Sequence, residues 1–283
     1  MRNVPTADPL DGRDRPRSKQ MIRHAVLGLT LVGMLCGAAV AGGQEPDKIR
    51  LVIVTGHQYP GHKWRETTLA LEDGLKKDPR FNVTSMPDVE FLASPKLHDY
   101  NVVILNYCNW ERPDGISSKA KANFVRFLKQ GGGLTIIHFT NGAFHFSLPK
   151  AEAADWLEWR TNICRRVWDH GEGKSGHDPY GRFRVDIADP KHPIGRGLKS
   201  FETVDELYFR QQGDKPVHVI ATAKSNMTGK SEPMAFVHTY GVGRIFQTVL
   251  GHDADSLRTK GTAELVRRGS AWAAGRAPVD EGS

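Results

Sequence analysis

The stretch GGGLTIIHFTNGAF, residues 131–144, decides the fold expected of this 283-residue chain. Three glycines end one element, and the apolar run Leu134–Phe139 predicts a strand buried on both faces. In many hydrolytic α/β folds the end of such a strand carries a serine or cysteine nucleophile. Here the strand ends in His138, which Asn141 and Gly142 follow. The stretch therefore predicts a buried strand that places a histidine at the edge of a sheet.

Strand and helix patterns alternate on the N-terminal side of this stretch. Ile49–Thr55 and Asn101–Tyr107 are near-continuous apolar runs, and Phe81–Ser85 predicts a shorter strand. Apolar residues recur at helical spacing after Trp64, and Ser117 predicts the N-cap of a second helix. This β-α-β-β-α-β order predicts a three-layer α/β fold with a mostly parallel sheet and helices on both faces.

The pattern changes in the second half of the chain. Residues 150–163 are expected to be helical, and Asp169–Tyr180 is a glycine-rich loop without core residues. Gly261–Ala274 predicts a closing helix. Between the loop and this helix we expect strands at Arg182–Ile187, Glu202–Phe209, Val217–Ala223, Met234–Thr239 and Arg244–Leu250. The short connections favour a single domain.

The N-terminal segment has the pattern of a secretory signal. Residues 25–40 carry no charge, and an A-x-A site ends at Ala41, with Met1 or Met21 as the start. The apolar run is shorter than the roughly 20 residues of a membrane span. We therefore expect an exported, periplasmic or extracellular protein with no membrane span after signal removal. The expected divisions are a signal peptide with its leader (1–41), a linker (42–47), one domain (48–276) and a tail (277–283).

Composition limits the classes of ligand. Loss of residues 1–41 would remove 6 of the 39 Lys and Arg and 3 of the 32 Asp and Glu, which leaves a net charge of +4. This charge is mild and no basic stripe with interleaved aromatic residues is present, so nucleic acid is not an expected partner. Cys108 and Cys164 then remain; they allow one disulfide but no CxxC metal knuckle.

Polar residues follow several of the predicted parallel strands. His62 lies in the loop after the first strand, His138 ends the fourth, and His252 with Asp253 follows the last strong strand. The carboxyl ends of parallel strands meet at one edge of a sheet, where ligands bind. We therefore expect the functional site at this edge.

Three motifs, in this order along the chain, resemble the ThuA-like family, which is named for trehalose utilisation. They are residues 131–144, HPIGRGL (192–198) with VDELYF (204–209), and PMAFVHTYGVGRIFQTVLGHD (233–253). The resemblance extends from about Ile49 to Gly275 and implies a class I glutamine amidotransferase-like, flavodoxin-like fold.

The resemblance also bears on the missing nucleophile. In amidotransferases the turn after the fourth strand carries a cysteine, whereas residues 139–142 contain only the hydroxyl of Thr140. A threonine nucleophile would need an activating base, so glutamine hydrolysis through a thioester is not expected. Cys108 ends the third strand rather than the fourth, and we interpret it as a small buried residue.

Three residues are predicted to be catalytic. His138 ends a strand at the ligand edge, where an imidazole exchanges protons near neutral pH; alternatively it only holds the turn. Glu206 shares a strand face with Tyr208, and a carboxylate beside a phenol suits sugar hydroxyls; alternatively it is a solvated strand end. His252 matches, through the resemblance, the late catalytic histidine of the amidotransferase-like scaffold.

Further residues of the loops and strand ends are predicted to bind substrate. They are His62, Asn141, Gly142, His145, His177, Asp178, Tyr208, His238 and Asp253. His238 is alternatively a core histidine, and Asp253 alternatively the N-cap of the following turn. Three or four histidines that converge with Glu206 would suit Zn²⁺ or another divalent metal, although no HExxH spacing is present.

The resemblance implies carbohydrate metabolism, in particular of 3-keto glycosides, with a small sugar as the ligand. A keto group at C3 acidifies the hydrogen at C2, which His138 or His252 would remove while Glu206 helps the glycosidic oxygen to leave. Ordinary glycosidases instead use two facing carboxylates. A non-catalytic carbohydrate-binding module and a metal-dependent hydrolase of amide or ester bonds are the alternatives, and the oligomeric state stays open.

Overall fold

The computed structural model describes residues 48–57, 59 and 61–279. The expected signal peptide and linker, and the end of the expected tail, lie outside these residues. Five parallel strands form one half of the main sheet, in the order β2-β1-β3-β4-β11. They are β1 (Ile49–Thr55), β2 (Phe81–Met86), β3 (Val102–Asn106), β4 (Gly133–Ile137) and β11 (Gly243–Thr248).

Antiparallel strands extend the same sheet beyond β11. Their order is β10-β9-β6-β7, which gives nine strands to the main sheet of the described residues. These strands are β6 (Gly181–Ile187), β7 (Phe201–Asp205), β9 (His218–Lys224) and β10 (Ser231–Tyr240). A separate two-stranded ribbon pairs β5 (Gly176–His177) with β8 (Tyr208–Phe209).

Helices cover both faces of the parallel half, as the sequence predicts. Helices α1 (Trp64–Leu75), α3 (Ala254–Arg258) and α4 (Lys260–Ala273) pack together on one face. Helix α2 (Ser118–Lys129) covers the other face with the 3₁₀ turns Val89–Ala93 and Pro95–Asp99.

The side chains of β1 show why this strand lies in the middle of three layers. Leu51 and Ile53 pack into the core under α1 and α4, whereas Val52 and Val54 pack under α2. All four are fully buried, and each such side chain stabilises the fold by about 1.5–3 kcal/mol. A continuous apolar run is therefore required here, because both faces of the strand are covered.

Helix α2 begins where its sequence predicts. The Ser117 side chain accepts a hydrogen bond from the Ala120 backbone N–H at 3.1 Å, the usual geometry of an N-cap. Phe124 and Phe127 lie on the buried face of the helix. The cap fixes where α2 begins, and the apolar stripe determines which face of the helix is buried.

The prediction of a continuous helix over residues 150–163 is wrong. The segment instead contains a 3₁₀ turn, Glu152–Ala154, and a π-helix, Trp159–Ile163. The backbone N–H of Trp156 donates to the carbonyl of Phe144 at 2.9 Å. Because this N–H is used by a distant segment, no regular helix runs through Trp156.

The strand expected over residues 202–209 is interrupted. It divides into β7 and β8, because the Asp205 carboxylate accepts the Glu206 N–H at 2.8 Å and the Leu207 carbonyl accepts the Asp178 N–H at 2.9 Å. β8 therefore pairs with β5, and His177 lies opposite Tyr208. This ribbon brings the glycine-rich loop to the carboxyl edge of the sheet.

The two cysteines of the described residues are both free. Cys108 and Cys164 are buried and form no disulfide, so the disulfide that the sequence allows is not formed. Burial raises the pKa of both thiols, which makes them poor nucleophiles. Within the part of the chain that the structure describes, no helix has the length and apolar character needed to cross a membrane.

Candidate functional site

Four side chains converge at the carboxyl edge of the parallel strands. One potential ligand atom from each of His62, His138, Glu206 and His252 lies within 4.8 Å of the others. His62 precedes α1, His138 directly follows β4, Glu206 follows β7, and His252 lies between β11 and α3. We call these four residues the histidine cluster. The structure thus brings the three residues predicted to be catalytic together with His62.

His138 holds a defined tautomer. Its Nδ1 lies 2.7 Å from the Val249 carbonyl oxygen, which only accepts, so Nδ1 carries the hydrogen. Nε2 therefore keeps its lone pair and accepts from the Tyr208 hydroxyl at 2.8 Å. His138 has φ +42°, in the left-handed region that few non-glycine residues adopt. Burial, helped by His62 and His252, holds the pKa of His138 well below its usual value, so the ring is neutral.

His62 is the unpartnered member of the histidine cluster. Both of its ring nitrogens are buried without a hydrogen-bond partner among the described residues. The ring stacks on Phe139, with centroids 4.6 Å apart and planes 8° from parallel. Burial, followed by the nearby His252 and His177, lowers the pKa of His62 to about 3. A buried polar atom without a hydrogen-bond partner destabilises the fold by about 1–3 kcal/mol. Unpartnered buried atoms are therefore rare, and they are typical of ligand-binding sites.

The Glu206 carboxylate lies within 4 Å of three histidines. Glu206 Oε2 lies 3.1 Å from His252 Nδ1 and 3.8 Å from His138 Nε2, and Oε1 lies 3.7 Å from His177 Nδ1. Burial works to raise the pKa of Glu206, but the hydrogen bond with His252 and the nearby imidazoles outweigh burial and lower it. Burial likewise works to lower the pKa of His252, but Glu206 and the neighbouring carboxylates raise it. Glu206 is therefore the charged centre of the histidine cluster.

Asp205 fixes the backbone around the histidine cluster. Its side chain is fully buried and accepts the N–H groups of Gly251 at 2.7 Å, Glu206 at 2.8 Å and His252 at 3.2 Å. Gly251 has φ +113°, a conformation that side chains disfavour. Burial raises the pKa of Asp205 to about 7, and the three N–H groups oppose that shift. One carboxylate thus sets the spacing between Glu206 and His252.

The sequence analysis missed Asp205 as a site residue. Alternation along an unbroken strand places Asp205 on the opposite face from Glu206, and this position gave no reason to link it to the site. The signal available was a second acidic residue in the motif VDELYF.

Aromatic rings surround the mouth of the site. A narrow cleft with a volume of about 30 Å³ opens onto His62 and His138. Tyr59 lines this cleft and stacks on Trp110, with centroids 4.8 Å apart. Trp168 packs against Tyr208 at 4.4 Å, next to the histidine cluster. Such faces suit a ring-shaped, partly apolar ligand.

Three residues predicted to bind substrate instead contact other parts of the protein or are buried in a turn. The Asn141 side chain donates to the Gln211 side chain, and Gly142 is buried in the turn after β4. His145 is buried, with Nδ1 2.7 Å from the Ser147 hydroxyl. None of these three belongs to the histidine cluster in the described part of the chain.

Three further predicted residues hold turns or backbone. Asp178 accepts from the turn at residues 225–227 at 2.6–3.2 Å. Asp253 is the N-cap of α3 and accepts the Ser256 N–H at 2.8 Å, which was the alternative interpretation of this residue. His238 Nε2 lies 2.9 Å from a carbonyl oxygen of the π-helix.

Fold and site together define a class of protein. A cluster of three histidines and Glu206 lies at the carboxyl edge of the parallel strands of a mixed, glutamine amidotransferase-like sheet. The family model for trehalose utilisation proteins (ThuA) matches residues 50–273, and the chain belongs to this family. Among curated proteins no sequence matches.

Solved structures agree with this fold. A ThuA-like protein from Parabacteroides merdae is 24% identical with a TM-score of 0.66, and the match covers 82% of this chain and 92% of that protein. A ThuA-like protein from Bacteroides uniformis is 16% identical with a TM-score of 0.62, over 86% and 99% of the two chains. A cytoplasmic protein from Salmonella typhimurium is 13% identical with a TM-score of 0.51, over 77% and 96%.

Proposed function

We propose that this chain is a metal-dependent enzyme of carbohydrate metabolism that acts on a 3-keto glycoside. The observation that carries the proposal is the convergence of four ligand atoms within 4.8 Å, one of them on an imidazole without any partner. Membership of the trehalose utilisation family supplies the sugar. The aromatic mouth fits a neutral ring better than a phosphate, which calls for clustered arginines.

The donor set fits a first-row divalent ion such as Zn²⁺. Imidazole and carboxylate bind Zn²⁺ at about 2.0–2.1 Å, so tetrahedral ligands stand about 3.4 Å apart. The largest separation in the histidine cluster is 4.8 Å, and binding therefore draws the outer pair inward. The hydrogen bond from His138 Nδ1 to the Val249 carbonyl is the outer contact that orients a metal-binding histidine.

The substrate class follows from what such an ion binds. A 3-keto sugar carries a carbonyl beside a hydroxyl, and both oxygens are of a kind that divalent ions bind. An ion held by His62, His138, Glu206 and His252 would polarise the carbonyl and make the hydrogen at C2 more acidic. The Tyr208 hydroxyl donates to His138 Nε2 at 2.8 Å; if that nitrogen held the ion, the hydroxyl would be free to donate to a substrate oxygen.

His177 is the base in this proposal. Its Nδ1 lies 2.8 Å from the Asp178 carbonyl oxygen and therefore carries the hydrogen, which leaves Nε2 as the basic nitrogen. The side chain is 40% exposed and touches Glu206 from outside the histidine cluster, so substrate reaches it. The sequence analysis gave proton transfer to His138, Glu206 and His252; the proposal assigns these three to the ion.

The elimination balances without an oxidant or reductant. His177 takes the proton from C2, the C1–O bond breaks, and a C1=C2 double bond forms in conjugation with the ketone. The proton from C2 passes to the leaving glycosidic oxygen, which departs as the hydroxyl of the released sugar. Water then adds across the double bond.

Metal binding and turnover are tested together. The protein is treated with EDTA, dialysed and titrated with Zn²⁺, Mn²⁺ or Co²⁺, and glucose release is followed from 3-keto-trehalose and from trehalose. We expect one ion per chain and release from the keto sugar alone, only with metal. Release that persists without metal would favour acid/base chemistry by the protein alone. Sugar binding without release would favour a binding module.

Replacing His177 with asparagine tests the base. We expect turnover to fall about 10²-fold, the usual size of a general-base contribution, while Zn²⁺ affinity stays unchanged. The matched control is His218→Asn, because His218 is 54% exposed and pairs with Asp189 outside the histidine cluster. Equal turnover in His177→Asn and the control would remove His177 from the mechanism.

We propose in addition that the protein is exported. The support is the charge-free segment 25–40 followed by the A-x-A site at Ala41. N-terminal sequencing of the protein from a cell fractionation tests this proposal, with Gly42 as the expected first residue. A cytosolic protein that starts at Met1 or Met21 would contradict it.

A further inference from the structure

A second cleft lies beside the histidine cluster and has no role in the proposed chemistry. It contains about 1020 Å³ of empty space, part of it open to solvent. The residues that matter to its chemistry are His145, Phe146, Arg160, Asp169, Gln211 and Asp214. We call this space the second cleft.

Two chain segments contribute residues both to the second cleft and to the surroundings of the histidine cluster. Trp168 packs on Tyr208 beside the histidine cluster, and the next residue, Asp169, lines the second cleft. Gln211 lies three residues after Tyr208 and also lines the second cleft. The same two chain segments therefore build both spaces.

The second cleft has an aromatic platform held in place. Phe146 is 46% exposed, unusual for so large an apolar side chain. The Arg160 guanidinium lies 5.1 Å from its ring centroid, and Arg160 Nε donates to the Asp155 carboxylate at 2.9 Å. The His145 ring also packs on Phe146, with centroids 4.3 Å apart, so the exposed part of the Phe146 ring is the surface left for a ligand.

A carboxamide pair at the second cleft is incompletely satisfied. The Asn141 side-chain N–H donates to Gln211 Oε1, which leaves Asn141 Oδ1 and Gln211 Nε2 buried without a partner among the described residues. Turning both amides over exchanges the atoms but still leaves one donor and one acceptor. A single hydroxyl group supplies both functions. Of this pair Gln211 lines the second cleft, and its unpartnered Nε2 is the atom available to a ligand there, while Asn141 lies fully buried behind it.

Charge in the second cleft favours a neutral ligand. Arg160 already pairs with Asp155, and within the described chain Asp169 and Asp214 have no ion-pair partner. Burial lowers the pKa of His145, which is therefore neutral. Carboxylates and amides around an aromatic face bind hydroxyl groups, whereas an anion would meet the carboxylates of Asp169 and Asp214.

We propose that the second cleft is a carbohydrate-binding site separate from the histidine cluster. A neutral sugar unit stacks on Phe146 and hydrogen-bonds through its hydroxyls to Asp169, Gln211 and Asp214. The choice of a sugar rests on the proposed function, but the binding itself needs neither a metal nor a keto group.

The experiment uses the full chain in EDTA, with trehalose as the probe and saturation-transfer NMR and calorimetry as readouts. We expect saturable binding that Phe146→Ala weakens at least ten-fold. Leu157→Ala is the matched control, because Leu157 is 59% exposed and lies outside the second cleft. Thermal melting checks that each variant is folded.

Three results would overturn the proposal. They are no saturable sugar binding, equal affinity in wild type and Phe146→Ala, or binding of inorganic phosphate in place of trehalose. Loss of trehalose binding in Glu206→Gln with retention in Phe146→Ala would place the sugar at the histidine cluster instead. Because metal is absent throughout, failure here is distinct from failure of the metal-dependent chemistry.

Discussion

Replacing Glu206 with glutamine is expected to lower turnover of the 3-keto glycoside about 10³-fold and Zn²⁺ affinity by more than about 10²-fold. Glu206 is the single anion of the histidine cluster and contacts His138, His177 and His252 within 4 Å. Glutamine keeps the size of the side chain but removes the charge that attracts the ion. Metal content by mass spectrometry and glucose release measure the two effects.

Glu66→Gln is the control for this variant, since Glu66 is 58% exposed on α1 and outside the histidine cluster. The two possible roles of Glu206 give different results. Loss of turnover with metal retained would make Glu206 a proton donor, as the sequence analysis assigned. Retention of both metal and turnover would contradict the metal centre itself.

The parallel half of the fold could be predicted because its strands are covered on both faces. Burial on two sides demands near-continuous apolar runs, and Ile49–Thr55 and Leu134–Ile137 are such runs. The spatial order of the antiparallel strands could not be predicted in this way. Whether β9 pairs with β6 or β7 depends on long-range contacts, which leave no periodic signal in the chain.

The site could be predicted where strand direction determines position. His138 and His252 follow β4 and β11, which are neighbours in the sheet, and parallel neighbours bring their ends together. Loop residues such as Asp178 gave no such information. An aspartate that accepts three bonds from a distant turn has the same local sequence pattern as one that binds a sugar.

Replacing Asp205 with alanine is expected to lower the free energy of unfolding by roughly 3 kcal/mol or more. Three buried N–H groups would lose their acceptor, and each unsatisfied donor costs about 1–3 kcal/mol. The same change would release the backbone at Glu206 and His252, so Zn²⁺ affinity is expected to fall about 10–100-fold. Urea unfolding without metal measures the first effect, and a Zn²⁺ titration below the unfolding transition measures the second.

Asp205→Asn separates the loss of hydrogen-bond acceptors from the loss of side-chain volume, because asparagine keeps the volume and one acceptor oxygen. Its remaining N–H₂ faces donors, so we expect a stability between that of wild type and that of Asp205→Ala. Asp186→Ala is the control, since Asp186 is 54% exposed and pairs with Arg184 at the surface. A loss of stability no larger than that of Asp186→Ala would contradict the structural role of Asp205. Full Zn²⁺ affinity in a destabilised Asp205→Ala would show that Glu206 and His252 hold their positions without it.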